Sequence, residues 1–311
     1  MKPRTELPRL PNLFIVGAPK CGTTAWVEYL RTHPDIFFPD TKEDCFFALD
    51  LPRFRFIQSE ADYAKLFVGS DGAKVVGEAS AMYLFSNAAA DAIRRYNADA
   101  KILIFLRDQE EFLPSLHNQF LREFSEEIED FETAWRLSGQ RQSETVPPAC
   151  LEPRTLDYAA MGRFSEQVER YLGAFPPEQV QVIHFRDWIA DPRRTYLSIL
   201  DFLGLKDDGR REFPRINRGT TYRSRSLVRF ILFPPTWARQ AARVFKRVTG
   251  LQGAKIYPAV HRVIGMLSAP GYKGLVRREL RDEIKRYYAD DNRNLAARLG
   301  PRTSSKTMRP E

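Results

Sequence analysis

The sequence predicts an α/β fold with a central parallel sheet flanked by helices. Residues 12–16 form a short apolar run that stops at Gly17, and a helix is predicted from Thr23, which gives strand, tight loop and helix. Residues 102–106 are continuously apolar, as in a central parallel strand that is covered on both faces. Further along, a predicted helix at 161–175, a strand at 180–185 and a helix from Pro192 repeat the alternation.

The first loop, GAPKCGT at residues 17–23, is suited to hold an anion. Gly17 and Gly22 permit backbone conformations that a side chain would block, and the following helix points the positive end of its dipole at the loop. Lys20 adds a full charge, while Thr23 and Thr24 add hydroxyl donors. The pattern therefore predicts a phosphate or sulfate site.

The position of the lysine separates this loop from a Walker A loop. That motif needs Gly-Lys-Ser/Thr after four intervening residues, but Lys20 precedes the second glycine. The run PKCGTTAW instead resembles the 5′-phosphosulfate loop of sulfotransferases that use 3′-phosphoadenosine 5′-phosphosulfate (PAPS). The resemblance implies that the cofactor is bound by Lys20, Cys21, Gly22, Thr23, Thr24 and Ala25. From the residues alone, Cys21 is interpreted as a small side chain that fills the loop rather than as a nucleophile.

The segment KEDCFF at residues 42–47 resembles the Lys-Glu-x-His-Phe-Phe element of carbohydrate-type sulfotransferases. The resemblance implies that Glu43 takes the proton of the acceptor hydroxyl, with Lys42 as a catalytic neighbour. Cys45 stands at the family's histidine position. A solvated charged turn followed by two core phenylalanines is the alternative interpretation.

A second family resemblance lies in VVGEASAMY at residues 75–83. It matches a Gly-Glu-x-Ser-x-x-Tyr segment, which implies that Glu78, Ser80 and Tyr83 line the acceptor cleft. For Tyr83, a place in the core is an equally good interpretation.

Arg107 follows the apolar run 102–106, at the strand end where open α/β sheets bind their ligands. Ser115 lies on the next predicted helix, and this Arg-x7-Ser spacing resembles the family's 3′-phosphate site. Gln109 and Phe112 stand where the family usually has proline and a second arginine. Arg107 could instead form an ion pair at the sheet edge. The resemblance further implies that a basic loop closes over the 3′-phosphate with Arg223, Ser224 and Arg225.

The net charge of +8 is concentrated in one segment. Residues 213–278 contain 14 Lys and Arg and no Asp or Glu, which indicates an anionic partner. Within it, residues 229–247 interleave aromatic and basic side chains, as in a helix that lies on an anionic membrane. Alternatively, the aromatic residues pack on the core while the arginines bind cofactor phosphate and solvent. No nucleic-acid partner is expected, because no recognised motif accompanies the charge.

The composition of the sequence narrows the class of protein further. No apolar run reaches the roughly 18 residues of a transmembrane helix, and the first 12 residues are too polar for a signal peptide, so a cytoplasmic protein, peripheral at most to the inner membrane face, is expected. Three scattered cysteines predict neither a disulfide framework nor a metal site. We expect a single domain over residues 1–311, with a basic aromatic insertion at about 227–271.

Together these observations predict a PAPS-dependent sulfotransferase with a three-layer, P-loop-like α/β fold. It would transfer a sulfuryl group to a hydroxyl of a carbohydrate, lipid or natural product without a metal ion. A P-loop kinase or NTPase is the first alternative, although the lysine it needs after the second glycine is missing. A non-catalytic basic protein that binds membrane or nucleic acid is the second.

Overall fold

The structure is a computed structural model and describes residues 10–141, 145–216, 220–235, 257–270 and 276–303. Its centre is a sheet of five parallel strands in the order β2-β3-β1-β4-β5, so the predicted central parallel sheet is confirmed. The strands are β1 Leu13–Gly17, β2 Ile36–Phe37, β3 Val75–Ala79, β4 Lys101–Leu106 and β5 Val180–His184.

The two middle strands form the core of the molecule. Every residue of β1 is buried, as is every residue of β4 after Lys101, which is the pattern of strands covered by helices on both faces. The first helices are α1 Thr23–Arg31, α2 Glu60–Lys65, α3 Ala89–Tyr96, α4 Gln109–Arg122 and α5 Phe131–Arg136. They are followed by α6 Tyr158–Met161, α7 Phe164–Ala174, α8 Phe185–Ala190 and α9 Pro192–Phe202.

The chain after α9 adds a small second sheet and four helices among the described residues. Strands β6 Thr220–Tyr222 and β7 Ser268–Pro270 pair antiparallel. The helices are α10 Arg225–Leu232, α11 Tyr257–Leu267, α12 Arg278–Tyr287 and α13 Ala289–Thr303. Helices α12 and α13 are separated at Tyr288, whose buried hydroxyl donates to the backbone carbonyls of Tyr158 and Ala159.

Within residues 53–65, only the last six are helical. Ser59 accepts a hydrogen bond from the Asp62 N–H and so starts α2 there. Upstream, Arg53 and Arg55 donate to the carbonyls of Cys150 and Phe46, which holds this stretch against the protein as a loop.

Because the basic segment contains no acidic residue, its sequence suggested a surface without acidic neighbours. The fold nevertheless brings glutamates from elsewhere in the chain against it. Arg225 pairs with Glu129 at 3.2 Å and Arg229 with Glu127 at 2.8 Å. These acids lie 96 or more residues earlier in the chain, so the local sequence could not reveal them. Residues 236–256, most of the predicted interfacial helix, lie outside the described residues. Among the described helices, none has the length and apolar character needed to cross a membrane.

Candidate functional site

The predicted anion loop lies at the carboxyl edge of the sheet. Because the five strands are parallel, the segments that follow β1, β3, β4 and β5 reach the same edge. These segments are the loop at residues 18–22, the turn at Ser80, Arg107, and helix α8. The sheet therefore gathers residues that are up to about 170 positions apart in the sequence.

The two loop glycines are both required by close packing. Gly22 has φ 91°, and a β-carbon there would lie 2.5 Å from Cζ2 of Trp188. A β-carbon at Gly17 would lie 2.5 Å from the carbonyl oxygen of Ala81. Helix α1 begins directly after Gly22 with neither a side-chain cap nor an acidic residue in its first turn. Its N-terminal N–H groups are therefore not neutralised by the protein, which suits an anion.

Lys20 faces this helix end without a carboxylate contact. Within the described part of the chain it forms neither a hydrogen bond nor an ion pair. Burial lowers the pKa of its ammonium group and the nearby charge of Arg122 lowers it further, while the carboxylate of Glu123 acts in the opposite direction without contacting it. A partly buried cation without a partner is costly unless an anion is supplied from outside. Beside it, burial raises the pKa of Cys21, so its thiol stays neutral and fills space.

The second predicted anion contact, Arg107, lies at the end of β4. Its guanidinium stacks on the ring of Phe185 at 4.4 Å and donates to Glu111 at 3.0 and 3.1 Å. Ser115 lies one helical turn beyond Glu111 on the same face of α4, so Arg107 and Ser115 share one side of that helix. A cavity of about 690 Å³ opens here, with Arg107 and Phe185 in its wall, a size typical of small-molecule sites.

Aromatic side chains connect the two anion contacts. Trp188, which packs on Gly22, meets Phe185 edge-on at 5.1 Å, and Phe185 in turn carries Arg107. Trp26 of α1 supports Trp188 from within the core at 5.8 Å. The arrangement places a cationic contact at each end of a row of aromatic rings packed edge to face, which suits a ligand with two separate negative groups.

Glu43 is anchored at the end of β3 rather than lying in a loose turn. Its Oε2 accepts a hydrogen bond from the Ala81 N–H at 2.7 Å, and its Oε1 accepts one from Lys42 Nζ at 2.9 Å. Its own N–H donates to the Ala79 carbonyl at 2.9 Å. The side chain is 36% exposed, so the carboxylate is both fixed and accessible.

The three predicted acceptor contacts, Glu78, Ser80 and Tyr83, lie beneath Glu43 and are at most 1% exposed. Ser80 Oγ donates to Glu78 Oε1 at 2.6 Å and accepts from the Cys45 N–H at 3.0 Å. The Tyr83 hydroxyl accepts from the Phe47 N–H at 3.2 Å. These side chains thus tie the segment with Glu43 to the sheet. Burial raises the pKa of Glu78 to about 8.

Comparison with known proteins identifies the family to which the chain belongs. The profile described as "Sulfotransferase domain" matches residues 10–222. The chain belongs to the sulfotransferase family. Carbohydrate sulfotransferase 15 of Rattus norvegicus is 25% identical over 251 residues, covering 63% of this chain and 44% of that protein. Heparan sulfate glucosamine 3-O-sulfotransferase 3B1 of Mus musculus is 26% identical over 198 residues, covering 64% and 47%. The chain thus spans less than half the length of these relatives.

A solved structure extends the similarity to nearly the whole chain. The sulfotransferase from Alicyclobacillus acidocaldarius is 27% identical, covers 94% of this chain and 96% of its own, and superposes with a TM-score of 0.66. The predicted P-loop-like α/β fold of the sulfotransferase is therefore confirmed. No group of three or more His, Cys, Asp or Glu suited to a metal ion occurs among the described residues.

Two further charged residues, Arg122 and Glu123, lie close enough to Lys20 to act on its charge, and neither was predicted from the sequence. Gln119 donates to Glu123 at 2.8 Å, and Glu123 lies close enough to Lys20 and Glu43 to respond to both charges. Burial raises the pKa of Glu123. The helical spacing from Ser115 to positions 119, 122 and 123 could have indicated that these side chains share one face.

Residues of the predicted 3′-phosphate loop, 223–225, make contacts with other parts of the protein. Ser224 accepts from the Leu227 N–H and caps α10, while Arg225 donates to the Glu126 carbonyl at 2.8 Å and pairs with Glu129. Arg223 is exposed, and its N–H donates to the Leu267 carbonyl. Of the three, Arg223 is the side chain that solvent reaches most readily.

Two histidines that could also act as bases, His33 and His117, are engaged by the backbone. His33 Nε2 lies 3.0 Å from the Lys206 carbonyl, and His33 Nδ1 accepts from the Asp35 N–H. His117 is buried, and its Nε2 lies 2.8 Å from the Ile128 carbonyl. Both rings stabilise the fold, and burial lowers the pKa of His117.

Proposed function

We propose that the protein transfers the sulfuryl group of PAPS to an acceptor hydroxyl. The observation that carries this proposal is the pair of cationic contacts at the sheet edge, Lys20 without a carboxylate partner and Arg107 on Phe185. PAPS carries a phosphosulfate on the 5′ oxygen and a phosphate on the 3′ oxygen of the same ribose, so the ribose separates its two negative groups. Lys20, Thr23, Thr24 and the first N–H groups of α1 would hold the 5′ end, while Arg107 and Ser115 would hold the 3′-phosphate.

Glu43 is the proposed base. As the acceptor oxygen forms its bond to sulfur, the bond from sulfur to the 5′-phosphate oxygen breaks, and the acceptor proton passes to the Glu43 carboxylate. Hydrogen bonds from Lys42 and the Ala81 N–H orient that carboxylate before the reaction. Lys20 would stabilise the charge that develops on the leaving phosphate oxygen. The second product is adenosine 3′,5′-bisphosphate.

A sugar hydroxyl is the acceptor class we favour. The named relatives are a carbohydrate sulfotransferase and a heparan sulfate glucosamine 3-O-sulfotransferase, and the segment with Glu43 resembles an element of carbohydrate-type sulfotransferases. Lipid and natural-product hydroxyls are the other acceptors to be screened. Incubation of candidate acceptors with enzyme and PAPS, followed by mass spectrometry, would detect the gain of one sulfuryl group.

Ligand-dependent thermal stability tests the donor assignment directly. Adenosine 3′,5′-bisphosphate should raise the melting temperature, because a ligand that binds only the folded state stabilises it, whereas ATP with Mg²⁺ should not. The reverse result would favour the kinase or NTPase alternative. Arg107→Ala should weaken the bisphosphate about ten- to a hundredfold and leave adenosine 5′-phosphate nearly unaffected. Equal losses for both ligands would remove Arg107 from the 3′-phosphate.

A further inference from the structure

Arg122, the last residue of α4, is a cation without a carboxylate partner. Its Nε is buried and has no hydrogen bond, while its guanidinium lies over the ring of Tyr222 at 5.8 Å. Within the described residues it forms no ion pair. The neighbouring carboxylate of Glu123 accepts its hydrogen bond from Gln119 instead. The stem of Arg122 is therefore packed while its terminal nitrogens keep their donor capacity.

The position of Arg122 along α4 sets it apart from Arg107. The two residues flank the helix at opposite ends, about 22 Å apart along the axis at 1.5 Å per residue. Lys20 is influenced by the charges of both arginines, and by Arg122 more strongly. Lys20 is thus within electrostatic range of both arginines, and Arg122 lies at the end of α4 away from Arg107. Glu123 acts on Lys20 and Glu43 from the same end of α4.

The ring of Tyr222, over which Arg122 lies, is itself packed against the end of α4. Tyr222 of β6 stacks on Phe124 at 6.3 Å, and Arg225 lies over Phe124 at 5.5 Å. The end of α4 is therefore packed against the strand that opens the basic segment. An arginine held against an aromatic ring loses little further side-chain freedom when it binds an anion, which favours its use as an anion receptor.

We propose that Arg122 binds the sulfuryl oxygens of PAPS and so distinguishes the loaded donor from the spent bisphosphate. The inference rests on the proposed function. Two cations, Lys20 and Arg122, would then share the 5′ end: Lys20 at the phosphate that remains and Arg122 at the sulfuryl group that leaves. Once the group has been transferred, the bisphosphate no longer has the atoms that Arg122 contacts, and its release becomes easier.

Calorimetry with two ligands tests this assignment without an identified acceptor. Arg122→Met should weaken PAPS about ten- to a hundredfold, the loss expected for a charge-assisted hydrogen bond, and leave adenosine 3′,5′-bisphosphate within about twofold. Arg122→Lys keeps the charge but loses the planar fork, so it should restore part of the PAPS affinity. The matched control is Arg94→Met, because Arg94 is also a half-buried arginine near a helix end over an aromatic ring, at 5.8 Å from Phe175.

The outcomes separate this inference from the proposed function. If the wild-type protein binds neither ligand, the proposed function fails and the role of Arg122 with it. If the wild type binds both, but Arg122→Met weakens both equally or neither, Arg122 does not contact the sulfuryl group and only this inference is overturned. Should Arg122→Met not fold, Arg122→Lys decides, since a severalfold loss confined to PAPS supports the role and unchanged PAPS affinity contradicts it.

Discussion

Arg107 donates from both Nε and Nη2 to a single oxygen of Glu111. In the proposed complex the 3′-phosphate needs the same donors, so Glu111 competes with the ligand. The pair is partly exposed, with side chains 22% and 45% accessible, and such pairs contribute about 0.2 to 1 kcal/mol. We expect Glu111→Gln to tighten binding of adenosine 3′,5′-bisphosphate roughly two- to fivefold by calorimetry. Adenosine 5′-phosphate is the control ligand, and weaker bisphosphate binding would show that Glu111 aids the site.

Glu43→Gln should lower turnover by about 10² or more, because an amide cannot take the acceptor proton. Its size and its hydrogen bond from the Ala81 N–H are retained, so the affinity for the bisphosphate should not change. Steady-state kinetics at saturating donor measure the first effect and calorimetry the second. Near-normal kcat would exclude Glu43 as the base. Glu28→Gln is the control, since it removes a carboxylate of α1 that pairs with Arg31 and has no proposed proton transfer.

Glu78→Gln should stabilise the protein at pH 8 and flatten its pH dependence. The folded state holds the Glu78 proton up to about pH 8, compared with about 4.5 for an ordinary glutamic acid. Protonated Glu78 is therefore favoured by the fold, and its contribution is complete below the ordinary value and is lost as the pH rises through the folded value. The limiting slope is about 1.4 kcal/mol per pH unit. Melting temperatures of wild type and variant at pH 5 and 8 give the difference, and equal slopes would contradict it.

Association with an anionic membrane surface remains a proposal for the basic segment. Helices α10 and α11 pack together and expose Leu227 at 46% and Met266 at 69%. We expect co-sedimentation with anionic but not neutral vesicles at low salt, and loss of binding on Leu227→Ser with Met266→Ser. Val68→Ser, at an exposed apolar residue elsewhere, is the control. Absence of wild-type binding at low salt would remove the membrane role.

Local pattern was sufficient to predict the sheet and its first anion loop, because both depend on residues close in sequence. The strand at β4, the glycines of the loop and the start of α9 at Pro192 follow from local apolar runs, turn residues and caps. Contacts between distant residues were not predictable in the same way. The acidic partners of Arg225 and Arg229 and the burial of Glu78 depend on how the sheet and its loops come together.

The C-terminal helices support the start of α4 directly behind Arg107. Asn292 of α13 exchanges hydrogen bonds with Gln109 at 2.9 and 3.2 Å, and Lys285 of α12 pairs with Glu110 at 3.4 Å. During synthesis, the ribosome makes the anion loop about 260 residues before α12 and α13. A nascent chain would therefore acquire its 5′ contacts early but could not complete its 3′-phosphate support until residues 278–303 had left the ribosome. Binding of the donor would then require α12 and α13. A chain that ends at residue 222 should therefore not bind the donor.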